Sequence, residues 1–182
     1  MQEVWLKPNT RALKLGLIFP SLVLLVGATL LALVWRERLP AAILVVGGVL
    51  ALVGALGIVG IARELRRPRL AYRDGEVLAY LRGGGPIRIP IEIVEGFLIG
   101  QAPSLLPGGY HERYETTTFI LRLAESAEEW SHREVKPSLG RWCDGYVTIR
   151  GTWCEPLSVD LARRLNQRLA DVQSARVKQP TA

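Results

Sequence analysis

The chain has 182 residues and a formal net charge of +6, a length that suits one ordinary domain together with an anchor. A basic chain invites a nucleic-acid partner, but here the surplus is confined to one region. From Asp74 to the C-terminus 13 Lys/Arg stand against 14 Asp/Glu, which argues against nucleic acid and leaves the excess beside an apolar stretch.

That stretch is preceded by a basic segment, residues 1–14, with Lys7, Arg11 and Lys14. Leu15 to Trp35 then gives 21 residues without a charge. At 1.5 Å per residue it spans about 32 Å, the thickness of a hydrocarbon core. Ala41 to Ala62 is equally apolar. Neither run has the polar edge of a buried soluble helix, so residues 15–62 read as two membrane spans. Only Arg36 to Pro40 separates them, which forces an antiparallel hairpin. The connection holds two Lys/Arg, against three before the first span and five after the second. The positive-inside rule therefore predicts a multi-pass protein of the inner, cytoplasmic membrane with both termini cytoplasmic. A cleaved signal peptide is the alternative for the first run, but its apolar core is too long and no small-x-small site precedes Arg36.

Pro20 is expected to kink the first span without ending it. Small residues form stripes, Ser21, Ala28 and Ala32 on the first helix and Gly47, Ala51 and Gly54 on the second. They suit close packing within the hairpin or a seam between two copies. No ionisable residue lies inside either span, which argues against a transporter, channel or proton relay.

Residues 63–69 form a basic juxtamembrane collar that Pro68 ends. Arg63, Arg66, Arg67, Arg69 and Arg73 are the candidate contacts to anionic lipid headgroups, each contributing roughly 1 kcal/mol near the surface. Arg82 and Arg88 are candidates to join them.

Residues 70–175 read as a mainly-β domain, followed by a tail, 176–182. Leu70–Arg73 and Glu76–Arg82 flank Asp74-Gly75, a strong hairpin signal. Gly83-Gly84-Gly85-Pro86 makes the next turn, and without a following Lys-Ser/Thr it is not a phosphate loop. Ile87, Ile89, Ile91 and Ile93 alternate with polar positions, predicting a half-buried strand with an edge or bulge near Pro90, continued by Val94–Ile99. Gln101–Glu115 is expected to be a loop and Thr116–Leu123 a strand. Glu129–Val135 is a candidate strand, and Tyr146–Arg150 is a short strand after Asp144-Gly145. Leu157, Leu161, Leu165, Leu169 and Val172 recur at helical spacing, with Ser158 as N-cap. The sum is six or seven strands and a terminal amphipathic helix.

The segment PRLAYRDGEVLAYLRGGGPIRIPIEIVEG, with Asp74, Gly75, Ile89, Pro90 and Ile93 as its matching positions, resembles the opening of bacterial pleckstrin-homology-like domains. The resemblance covers Arg69 to Val172, apart from the loop at 101–115 and the charged stretch after Glu125. It implies a bent β-sheet barrel capped by the terminal helix, and a binding or scaffolding role with no enzymatic activity.

The remaining polar residues do not assemble a reaction centre. Cys143 and Cys154 read as two ordinary thiols, since a reducing cytosol disfavours their disulfide. His111 and His132 are isolated from metal-ligand spacing, and the cluster His111–Glu115 reads as solvated loop. Trp130, Trp142 and Trp153 are expected to serve packing, or an interface if exposed. No cofactor and no small-molecule substrate is expected. The expected role is that of a membrane-anchored, non-catalytic domain that binds a protein partner or its own copies, with anionic-lipid sensing as the alternative.

Overall fold

The structure, a computed structural model, describes residues 2–37, 40–103 and 115–177. It divides into a helical unit, Asn9–Arg67, and a β-rich unit made of Met1–Pro8 and Pro68–Ala182.

In the helical unit, the Asn9 side chain accepts a hydrogen bond from the Ala12 N–H and caps α1, Thr10–Gly16. The chain re-forms a helix as α2, Ile18–Glu37, and returns as α3, Ala41–Arg66. Helix therefore begins inside the expected basic segment, and the interruption falls at Leu17, ahead of Pro20. Proline accounts for the offset. It has no N–H to offer Gly16, and its ring crowds that carbonyl one turn back. Leu17 N–H tightens onto Lys14 O, and the regular pattern resumes when Ser21 N–H bonds Leu17 O.

Both helical stretches are long and apolar enough to cross a membrane. Large apolar side chains such as Leu22, Leu25, Val45, Leu52 and Leu56 point outward, an arrangement that water penalises and lipid accepts. The helices meet through glycine. A Cβ on Gly54 would lie 2.6 Å from Leu24 N, and one on Gly47 would lie 3.2 Å from Gly27 O. The seam on α2 is thus Gly27 with Leu24, Leu30 and Leu31, whereas Ser21, Ala28 and Ala32 face outward. Only the α3 stripe, Gly47, Ala51 and Gly54, packs as the small-residue pattern suggests.

In the β-rich unit, β1, Glu3–Leu6, pairs with β2, Leu70–Arg73, which pairs with β3, Glu76–Ala79, and that with β4, Ile87–Pro90. A second sheet contains β5, Val94–Pro103, β6, Glu115–Leu123, β7, Gly140–Cys143, and β8, Tyr146–Arg150, in the order β5-β6-β8-β7. All pairings are antiparallel. The described residues thus form two four-stranded sheets and no closed barrel.

Local chemistry explains the boundaries. Asp74 and Gly75 have φ of 50° and 84°, and Asp144 and Gly145 have 52° and 75°, the left-handed pairs that tight hairpins require. Pro90 sits at the end of an edge strand, and residues Ile91–Ile93 form a single 3₁₀ turn, so the run of alternating isoleucines is divided between a strand of the first sheet and the turn that leads to the second. β5 extends to Pro103 and shortens the expected loop, whose centre, 104–114, lies outside the described residues. The candidate strand Glu129–Val135 is corrected: Glu128–Trp130 is a 3₁₀ turn and irregular chain follows. The strand lies instead at Gly140–Cys143, because the Asp144-Gly145 turn folds that segment onto β8.

Helix α4, Val159–Val177, begins where Ser158 Oγ accepts from Leu161 N–H. Its Leu161, Leu165 and Leu169 enter a core shared with both sheets. An aromatic series links the sheets: Tyr72 stacks on Trp5 at 5.3 Å, Trp5 meets Phe97 edge-on at 5.7 Å, and Phe97 stacks on Phe119 at 5.4 Å.

Candidate functional site

The five collar arginines have different environments. Arg63 and Arg66, on the last turns of α3, are exposed, and Arg67 lies 3.8 Å from Glu64. Arg73 is exposed but bonded to Asp74 at 2.9 Å. Arg69 is only 2% exposed. Its Nε donates to Trp153 O at 3.1 Å, and its backbone joins Leu6 O and the Tyr80 N–H. It is a structural residue of the β-rich unit and is withdrawn from the headgroup set. Arg82 and Arg88 are exposed, and Arg88 lies 3.8 Å from Glu76.

Between α4 and β5 runs an apolar groove of about 630 Å³, bordered by Leu98, Ile99, Val159, Ala162 and Asn166. Leu98 and Val159 are 49% and 66% exposed. On β5, an edge strand, Asn166 occupies both backbone groups of Phe97.

A second concavity, about 370 Å³, lies where residues 132–137 pass the end of the second sheet. Arg133, Arg141, Arg150, His132, Glu134 and Cys143 are among its walls. Sequence reading missed this grouping because its members lie in three separate segments. The discoverable signal was the alternation of Arg141 with Trp142 and of Arg150 with Ile149, which turns both arginines away from the core. The register of Gly140 with Ile149 and Arg141 with Thr148 brings them to the same end. Arg133 lies over the Trp130 ring at 4.8 Å, and Trp130 stacks on Trp142 at 6.2 Å. Trp142 Nε1 donates to Trp130 O at 2.7 Å, so Trp142 is a core residue that fixes its neighbour. Arg150 Nε donates to Pro137 O at 2.9 Å.

Both cysteines are free thiols. Cys154 is buried, and burial pushes its pKa up to about 12. Cys143 donates to Asp144 Oδ2 at 3.1 Å, and that bond raises its pKa above the ordinary thiol value. Among the described residues no three His, Cys, Asp or Glu side chains converge as a metal set. His111 lies outside the described residues. Compared with family models, curated proteins and solved structures, the chain matches none.

Proposed function

We propose that the chain is a membrane-anchored, non-catalytic protein whose pleckstrin-homology-like domain is held at the cytoplasmic face and binds a protein partner or its own copies. The observation that carries the anchoring is the pairing of β1 with β2. Glu3, Val4 and Leu6 precede the apolar helices and Tyr72, Ala71 and Leu70 follow them, yet these residues are partners in one sheet. The helical pair is an insertion into the first sheet, so both of its ends leave from the same domain. A hairpin that crosses the membrane twice meets that requirement; a single crossing does not.

Eight strands in two antiparallel sheets followed by a helix support the pleckstrin-homology-like reading. The partner reading draws support from the exposed apolar side chains along the groove between α4 and β5. The lipid-sensing alternative loses support from the collar, because Arg69 is buried and Arg73 is ion-paired. The test is in-membrane cross-linking of the full chain, read by mass spectrometry. Cross-links from the domain to one defined protein, or to a second copy, support the reading, provided Leu98→Asp with Val159→Asp abolishes them. Cross-links to lipid alone contradict it.

A further inference from the structure

Among the described residues the two sheets end in four edge strands, β1, β4, β5 and β7. Strands β1, β4 and β7 have four residues each and carry Glu3, Arg88 and Arg141, and short, charged edges resist pairing with another chain. Strand β5 has ten residues, and its stretch from Leu98 to Ala102 holds no charge. Its bulge lies towards the other end, between Val94 and Gly96.

Phe97 turns its N–H and C=O away from β6 to meet Asn166, so the alternation of an antiparallel ladder turns the same groups of Ile99 and Gln101 outward as well. No hydrogen bond among the described residues meets them. Helix α4 is fastened to β5 further back, through Asn166 and Gln173. One and two turns before Asn166 it presents the short side chains of Ala162 and Val159 across the groove of about 630 Å³, which leaves the outer part of the edge open.

Building on the partner reading of this groove, we infer that the edge of β5 at Ile99 and Gln101 receives an extended segment of the partner protein, which adds to the second sheet as a fifth strand antiparallel to β5. The backbone row defines what fits it, since donor and acceptor pairs about 7 Å apart match alternate residues of a strand. Asn166 makes that exchange at Phe97, and the segment continues it along the same edge. Cross-strand partners share a face, so residues opposite Ile99 and Gln101 direct their side chains as Ile99 does, into the groove towards Ala162 and Val159. The segment therefore carries apolar side chains at alternate positions.

The test is retention, on the full chain immobilised in non-ionic micelles, of a pool of synthetic heptapeptides in which lysine alternates with valine, isoleucine, leucine or phenylalanine. The native chain should retain members of the pool. N-methylation of the apolar residues keeps every side chain, removes the N–H groups that face β5, and should weaken retention by about tenfold or more. Gln101→Pro should do the same, because it removes an outward N–H and no bond to β6, whereas Gln101→Ala should retain the pool as the native chain does. No retained peptide, equal retention of the methylated pool, or equal retention by Gln101→Pro overturns the site. A dimer of the chain that Gln101→Pro dissociates in analytical ultracentrifugation also overturns it, by giving the edge to a second copy. In the cross-linking experiment, partner cross-links that survive Gln101→Pro but not Leu98→Asp with Val159→Asp overturn strand addition and leave partner binding standing. Peptide retention without any protein cross-link does the reverse.

Discussion

The side-chain amide of Asn166 exchanges two hydrogen bonds with the backbone of Phe97, accepting from its N–H at 2.7 Å and donating to its C=O at 2.8 Å. Paired residues on neighbouring antiparallel strands make the same exchange. One residue of α4 thus stands in for a strand along the edge of β5. Seven residues on, Gln173 Nε2 donates to Ile91 O and Val94 O, so the helix is fastened to the sheet by polar bonds as well as by leucines.

Asn166→Ala should therefore cost about 1–3 kcal/mol, because it strands two backbone groups of a buried residue. Asn166→Asp keeps the acceptor for the N–H but sets a carboxylate oxygen against the Phe97 carbonyl, and it should also destabilise. Gln167→Ala, at the exposed neighbouring position, is the control. Thermal unfolding in detergent followed by near-ultraviolet circular dichroism distinguishes them.

The contribution of β1 gives a sharper prediction. Trp5 is 3% exposed and Leu6 is fully buried, both supplied from ahead of the apolar helices. A chain in which Asn9–Arg67 is replaced by a linker of about five residues should fold as a soluble domain, since Leu6 and Leu70 are already strand partners. A chain that begins at Pro68 should not, because it lacks the Trp5 contacts to Tyr72 and Phe97. Loss of a buried tryptophan alone costs about 3–5 kcal/mol. Equal solubility and equal melting temperatures for the two chains would contradict this.

Within the hairpin, Gly54→Ala should destabilise by about 1–3 kcal/mol, since the new methyl meets the backbone of Leu24. Gly60→Ala lies on the same helix with open space around it and should be neutral. Denaturation of the full chain in mixed micelles measures the difference.

The two thiols should react unequally. Cys154, its pKa pushed up to about 12 by burial, holds almost no thiolate at pH 8 and should resist iodoacetamide while the chain is folded. The stability it contributes is present below the unfolded thiol value of about 8.5. It is lost as the pH rises from there towards about 12. Cys143 should react slowly, and Asp144→Asn should speed it by replacing the charged acceptor that raises its pKa with a neutral amide. Asparagine suits the left-handed turn position, so the hairpin should survive. Peptide mapping after timed alkylation reads both sites.

Much of this fold was legible from local signals. The two apolar runs, the Asp74-Gly75 and Asp144-Gly145 turns and the leucine spacing of α4 each depend on residues close in sequence. Three features depend on distant partners. β1 carries four residues, too few for periodicity to mark, and its partner is more than sixty residues away. Arg69 looks like its neighbours in the collar until Trp153 O is seen to bind it. The arginine-lined cavity exists only through the pairing of β7 with β8 beside residues 132–137. In α2, the stripe Ser21, Ala28 and Ala32 does not form the seam within the hairpin, because the backbones approach at Gly27 and Leu24 instead.

The most direct test of the anchored, one-sided arrangement uses a membrane-impermeant maleimide on sealed, right-side-out membrane vesicles. Two chains are compared, one with Cys143 as its reactive thiol and one with Arg36→Cys in a Cys143→Ser, Cys154→Ser background. The account predicts that the cysteine at position 36 is labelled in sealed vesicles and Cys143 only after they are opened. Labelling of both in sealed vesicles, or of both only after opening, would contradict it.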